Sequence, residues 1–240
     1  MGFIDMHSHI LPGIDDGARS MEQTILMLKL AYEEGIRTMV ATSHYYPDRF
    51  HEPAEVLRSK LEEVNEAMKD ILPDLNLVLG CEIYYSHENI RLIKEGIIPT
   101  MGGTNYILVE FSPLAEYRYL KSGLSDFILE GYIPILAHVE RYNNVVKDMS
   151  RVKELMDMGV CIQVNAMSVT GETGKTYQSI TKKLLKNEYV HIIATDAHSD
   201  RTRAPRMKKC YELVSKKYSR EYANELFGYN QTKILNNQYL

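Results

Sequence analysis

The segment "FIDMHSHILPGIDDGA" (residues 3–18) sets two of the chain's eight histidines, His7 and His9, one residue apart at the end of an apolar run. Asp15 and Asp16 follow after a Pro-Gly turn. In an extended strand residues i and i+2 project from one face, about 6–7 Å apart, so His7 and His9 can address one ion. Asp196 and His198 in "VHIIATDAHSD" repeat that spacing. Imidazole and carboxylate donors without a thiolate suit Mn²⁺, Fe or Zn²⁺ rather than a structural cysteine–zinc site. A multinuclear centre of such donors activates water and neutralises anionic oxygens, which is the chemistry of phosphoester hydrolysis. Arginine forks complete it by gripping the remaining phosphate oxygens. Arg141, three residues past His138 in "HVER", is one candidate, and Arg203, five past His198, is the other. Arg203 has a plainer reading as part of a solvated basic helix start in "RTRAPRMKK" (201–209).

Short apolar, β-branched-rich runs recur to position these groups: "FIDMH" (3–7), "TMVATS" (38–43), "LVLGCE" (77–82), "YILVEF" (106–111), "IPILAH" (133–138), "CIQVNA" (161–166) and "VHIIATD" (190–196). Nearly continuous apolar character marks strands covered on both faces in a parallel sheet. Helical patterns fill the gaps. Ser20 and Gln23 form a capping box, Leu57, Leu61, Val64, Met68 and Ile71 make one apolar stripe, and Gly35, Gly96, Gly131 and Gly159 close helices. Seven strand–helix repeats without a linker fit one domain over residues 1–240, built as a (β/α) barrel or a doubly wound sheet.

The residues closing the runs are His7 with His9, His44, Glu82, Glu110, His138, Asn165, and Asp196 with His198. Parallel α/β folds gather the carboxyl ends of their strands on one face, where active sites are built, so these residues converge. A lone H-x-H is readily a packed histidine beside a solvated one; ligand types at six strand ends are not. They outnumber one ion's needs, and two or three ions bridged by a carboxylate use them better. His51, His87 and His191 fall off the pattern and read as surface or packing residues, and alternation turns Cys81 away from Glu82 into the core.

Composition narrows the function class. Net charge is −4 at 45% hydrophobic and 25% charged residues, offering no basic footprint for nucleic acid or anionic lipid. Three scattered cysteines without C-x-x-C fit reduced thiols. No run spans a bilayer, no basic leader precedes the first strand, and Met6 stands where a Met1-Gly2 myristoylation signal needs Ser or Thr, so a cytoplasmic protein is expected. A cysteine phosphatase needs Arg six residues after its nucleophile, and Cys81, Cys161 and Cys210 are followed there by His87, Met167 and Lys216. No G-x-S-x-G elbow occurs. An amidohydrolase would share H-x-H but commonly adds a bridging lysine at mid-chain, where Glu82 and Glu110 stand.

Taken in order, "DMHSHILPGIDDGA", "TSHYYP", "CEIY", "VEF", "AHVERY", "QVNAMS" and "TDAHSDRTRAP" resemble the polymerase-and-histidinol-phosphatase (PHP) superfamily, and within it the CpsB/CapC/YwqE-type bacterial protein-tyrosine phosphatases. The resemblance covers essentially the whole chain. It implies a distorted (β/α)7 TIM-like barrel and a trinuclear, typically Mn²⁺-dependent site. One ion would be held by His7, His9, Glu82 and Asp196, a second by Glu82, Glu110 and His138, and a third by Asp16, His44 and His198; Asp15 could stand in for Asp16. A metal-activated water would attack phosphorus in line without a phosphoenzyme, with Arg141 and Arg203 on the phosphate oxygens. The implied substrate lies in the tail of a bacterial tyrosine kinase controlling capsule or exopolysaccharide synthesis. Other readings are a small-molecule PHP phosphoesterase such as histidinol-phosphate phosphatase, a PHP nuclease, which the acidic net charge disfavours, and a metal-stabilised regulatory module without turnover.

Overall fold

The computed structural model of the chain describes residues 2–46 and 48–240; Met1 of the N-terminal pair and Pro47, which ends "TSHYYP", lie outside them. Among the described residues nine strand segments occur. They are β1 (Phe3–Ser8), β2 (Ile36–Ala41), β3 (His44–Tyr45), β4 (Asn76–Leu79), β5 (Glu82–Tyr84), β6 (Tyr106–Glu110), β7 (Ile133–Leu136), β8 (Cys161–Asn165) and β9 (Ile192–Ala194). Helices lie between all but β2–β3 and β4–β5. All seven expected runs form strands; the third is split between β4 and β5, and β2 is continued by the short β3 just past the second run. The interruption falls where side chains take over ladder bonds: Ser8 Oγ donates to Val40 O (2.7 Å), Ser8 N to Thr42 Oγ1 (3.0 Å), and Cys81 Sγ to Ser43 O (3.2 Å).

Every strand pairing is parallel, in the orders β1-β2-β4 and β3-β5-β6-β7-β8-β9. The split strands carry the sheet from one set to the other. A Ser8–Ala197 bridge, with Asp196 N donating to His7 O and His9 N to Ala197 O (both 2.8 Å), brings the segment after β9 against β1. The result is a curled parallel sheet.

Apolar runs of this length need cover on both faces, and they have it. Along β6, Tyr106 and Leu108 join a small core inside the curl with Met6, Val40 and Ile135. Ile107 and Val109 join the larger core between sheet and helices. Each such side chain contributes roughly 1.5–3 kcal/mol by leaving water. Among the helices, α1 (Met21–Glu33) starts at Ser20, whose hydroxyl accepts from Gln23 N at 3.4 Å. The return bond of the expected box goes to Arg19 N (3.0 Å) instead of the cap's own N–H. Gly35, at φ 94°, reverses the chain after α1 in a conformation that side chains disfavour. Helix α2 (Ala54–Met68) buries Leu57, Leu61, Val64 and Met68, but Ile71 lies past its end and is 41% exposed, because the chain turns out of the helix before Pro73. No helix among the described residues is long and apolar enough to cross a membrane.

Candidate metal centre

Positions that face the inside of the curl run outward along each strand toward its carboxyl end. On β4 and β5 the series passes from Val78 to Glu82, and on β6 from Leu108 to Glu110. Two ligand candidates break this alternation. Ile4 and Met6 belong to the inner core, yet His7 also turns inward, through a register shift between Asp5 and Ser8. Ile135 and Ala137 face inward, yet His138 does too, because its backbone is left-handed at φ 35°. Asp196, at φ 54°, is a second site residue in that region. Such conformations persist in non-glycine residues only where the surroundings over-determine them.

The structure brings all nine metal candidates together. His7, His9, Glu82 and Asp196 form one group in which each residue offers one donor atom within 4.8 Å of the others, all of them buried. Glu82 Oε2 lies 3.0 Å from His7 Nε2 and 3.2 Å from His9 Nε2. His9, Asp16, His44 and His198 form a second group, with Asp16 Oδ1 at 3.4 Å from His44 Nε2 and 3.5 Å from His198 Nε2. His44, Glu82 and Glu110 form a third, through His44 Nδ1 at 3.1–3.2 Å from both carboxylates. His138 Nε2 joins this side, 2.9 Å from Glu82 and 3.9 Å from Glu110. Asp15 and Asp16 separate cleanly. The Asp15 side chain is wholly buried and accepts from His9 Nδ1 (2.8 Å), Gly17 N (2.9 Å) and His44 N (3.0 Å), whereas the Asp16 side chain is 58% exposed and faces the two outer imidazoles. A Cβ on Gly17 would lie 2.3 Å from His9 O, so the "DDG" turn closes this tightly only on glycine.

Whether the donors suit a cation is decided at the His7–His9 pair. Gln163 Oε1 accepts from His138 N (2.8 Å), a group that can only donate, which fixes that atom as an acceptor. His7 Nδ1, 3.2 Å away, therefore carries the proton, and so does His9 Nδ1 on Asp15. Both Nε2 atoms then present lone pairs, and they face each other at 3.2 Å. Only a shared cation or an added proton resolves that arrangement, and imidazole with carboxylate is a donor set that Mn²⁺, Fe or Zn²⁺ accepts. Buried atoms without hydrogen-bond partners, His44 Nδ1, Glu82 Oε2, Glu110 Oε1 and His138 Nδ1, crowd the same place.

Electrostatics point the same way. Burial alone would raise Glu82 and Asp196, but the imidazoles of His7 and His44 hold Glu82, and His7 with Arg141 and Arg203 holds Asp196, well below the usual carboxylate range. Burial opposes charge on His9 and His44, yet neighbouring carboxylates raise them to about 9 and about 11. His138 and His198 are pushed down to about 4, first by burial and then by nearby Arg141 and His9 respectively. Glu110 is raised by burial and by Glu82 beside it. Carboxylates held ionised and imidazoles held protonated neutralise one another here, and a bound cation would take the place of those protons.

Both arginines reach this cluster. Arg141 Nη2 stands 2.6 Å from Asp196 Oδ2, and Arg203 Nη2 stands 2.7 Å from Asp196 Oδ1. Arg203 is not a helix start: the helix Lys208–Lys217 begins five residues later. It is folded back by a tight loop in which His198 N donates to Arg203 O (2.8 Å) and Arg203 N to Ser199 Oγ (3.2 Å). Beside them a solvent-open cleft of about 660 Å³ is bounded by Asp16, Arg19, His198, Arg201 and Arg203. His51 and His87 are exposed, and His191 packs under β8, its Nδ1 accepting from Ile162 N (3.0 Å). Cys81 is buried in the outer core.

Sequence reasoning missed the residues that hold the donors. Gln163 links His7, the His138 backbone and Asn165, whose amide in turn donates to Asp196 Oδ2 (2.8 Å). Asp5 accepts from Thr195 and from His7 N (3.3 Å), and Glu140 accepts from Asn165 N (3.0 Å). The signal was present: Gln163 stands two residues before Asn165 inside an apolar run, hence on the same face.

A family profile described as capsular polysaccharide synthesis, CpsB/CapC, matches residues 3–236. The tyrosine-protein phosphatase CpsB of Streptococcus pneumoniae is 36% identical over 240 residues, covering 98% of this chain and 99% of that protein. A solved structure from work on YwqE from Bacillus subtilis and CpsB from Streptococcus pneumoniae, described as unique metal-dependent tyrosine phosphatases, superposes with a TM-score of 0.92. It is 30% identical, with 99% of this chain and 96% of that chain covered. An amidohydrolase from Mycoplasma synoviae, 14% identical over 98% of this chain and 87% of that one, shares the fold at a TM-score of 0.63.

Proposed function

The chain belongs to the CpsB/CapC capsular polysaccharide synthesis family, and on that premise we propose that it is a metal-dependent protein-tyrosine phosphatase. The observation that supports this most directly is the approach of two arginines, from separate loops, to the Asp196 carboxylate at the edge of the imidazole–carboxylate cluster. That arrangement suits a phosphate held between guanidinium forks and cations. In this reading His7, His9, Glu82 and Asp196 hold one ion, Glu82, Glu110 and His138 a second, and Asp16, His44 and His198 a third, with Mn²⁺ the expected metal and Fe or Zn²⁺ the alternatives. When bound, such ions lower the pKa of water and neutralise phosphate charge.

The chain's own residues do the rest. Arg141 and Arg203 bind and orient the phosphate oxygens. Gln163 and Asp15 hold the Nδ1 protons of His7 and His9, so that Nε2 is the atom each ring turns to the metal. A tyrosine leaving group, with a reference pKa near 10, departs without a strong general acid, and no side chain needs that role. The open cleft bordered by Arg19, Arg201 and Arg203 suits a protein segment better than the closed pocket of a small-molecule phosphoesterase. In this reading the chain is one domain over residues 1–240, a (β/α)7 barrel in which each split strand counts once. The substrate in this reading is the phosphotyrosine-bearing tail of a cytoplasmic tyrosine kinase domain that governs capsule synthesis.

The test is phosphate release by metal-stripped protein before and after Mn²⁺ is restored, on phosphotyrosyl peptide, phosphoseryl peptide and histidinol phosphate, with His7→Ala as control. Mn²⁺-dependent turnover of the phosphotyrosyl peptide, absent in the variant, is expected. Preference for histidinol phosphate would replace the substrate but keep the site. Silence on every substrate with metal bound would make the chain a regulatory module.

A further inference from the structure

The paired strands β3 and β5 align His44 with Glu82 and Tyr45 with Ile83. One step further along the same register, Tyr46 stands opposite Tyr84. Alternation puts Tyr46 on the face of His44 and Tyr84 on the face of Glu82, so each tyrosine lies one side-chain layer, roughly 6–7 Å, outward from a donor of the cluster. The two rings meet, with centroids 4.0 Å apart and planes at 31°, and both are half-buried. Phe50 closes the edge. It bridges back to Tyr46 and lies parallel to the His44 ring, at 6.0 Å and 15°. A phosphoester with its phosphoryl group at the His44–Glu82 level carries its alcohol into this aromatic layer. An aryl ring can stack there; an alkyl ester leaves the layer uncovered.

We propose that Tyr46 and Tyr84 are specificity-determining residues that recognise the phenyl ring of phosphotyrosine and discriminate against phosphoserine and phosphothreonine; this rests on the phosphatase reading above. Metal ions and arginines grip any phosphate alike, so selection for the aryl group has to come from outside that layer.

Phenylphosphonate and methylphosphonate, titrated by calorimetry into Mn²⁺-loaded protein, separate the ring from the phosphoryl group. The titrations are paired with kcat and KM on the phosphotyrosyl peptide. Tyr84→Leu keeps bulk and removes the ring, Tyr84→Phe keeps the ring, and Tyr46→Leu repeats the test from the other strand. Both leucine variants should lose about 5- to 10-fold in phenylphosphonate affinity and a similar factor in kcat/KM through KM, with methylphosphonate within about 2-fold of wild type, as loss of one aromatic stack implies. The phenylalanine variant should match wild type. Equal losses on both phosphonates, or no loss on phenylphosphonate, would overturn the aromatic layer while leaving the phosphatase reading intact. Wild-type protein that hydrolyses no phosphotyrosyl peptide and binds both phosphonates equally would overturn both.

Discussion

His7 and His9 have their second ring nitrogens committed to Gln163 and Asp15 and are fully buried. At the other side of the same cluster the Asp16 side chain is 58% exposed and the His44 ring nitrogens meet only other candidate donors. The inner half is held in place before any ligand arrives, by Gln163 and Asp15. The outer half is left open, next to the cleft and the aromatic rim, where a substrate must enter. Oriented donors bind metal more tightly than donors that must be ordered on binding, so the inner ion should be retained and the outer one exchanged.

The harshest challenge to this contrast is Glu82→Gln, because Glu82 lies within 3.2 Å of four imidazoles from both halves. Phosphotyrosyl hydrolysis should fall on the order of 10³-fold, with metal content lost from the inner group, as removal of a bridging carboxylate implies. A variant with near-normal rate and metal content would leave the inner half without its defining member. A sharper comparison sets Asp15→Asn against Asp16→Asn. Losing the Asp15 acceptor should weaken the tightest ion about 10–100-fold, whereas Asp16→Asn should weaken only the last ion to bind, and metal titration resolves the two. Reversal of that order would erase the distinction between the halves.

Proton counting is a gentler probe. His9 and His44 have values raised to about 9 and about 11 without metal, so both are protonated at pH 7 and must release protons to ligate. His138 and His198, pushed down to about 4, are already neutral and release none. Calorimetry in buffers of different ionisation heat should show at least two protons released at pH 7, from His9 and His44, with His7, which Glu82 and Asp196 also raise, adding to them, and fewer as pH rises through about 9. Uptake of protons instead would contradict the charge balance drawn here. The smallest effect belongs to a histidine outside both halves. Burial lowers His191 to about 4 from an ordinary value near 6.5. Its contribution to stability is complete above the ordinary value and is lost as pH falls through about 4. His191→Gln should therefore lose less melting temperature than wild type between pH 7 and pH 4, with activity at pH 7 unchanged.

Much of the site was legible in the residue order. The strand runs ended where the donors stand, and Gly17 and the "DD" pair marked the returning turn. The plainer reading of Arg203 failed for a local reason: its loop closes through Ser199 and the helix starts only at Lys208. Ile71 extended the apolar period of α2 but not the helix, since the stripe continued into a turn.

Period-two alternation and apolar runs are local properties, so the chain by itself determined that ligand-type residues gather at the carboxyl ends of parallel strands, and that none of its cysteines has an arginine six residues on. Tertiary structure alone decided which donors share a point. It turned His7 inward through a register shift and His138 inward through a left-handed backbone. It sent Asp15 behind His9 and left Asp16 in front. Among the site residues His138 and Asp196 hold left-handed backbones, each at a cost of roughly 1–3 kcal/mol that their neighbours offset. No local pattern encodes them, because packing around the site is what stabilises them.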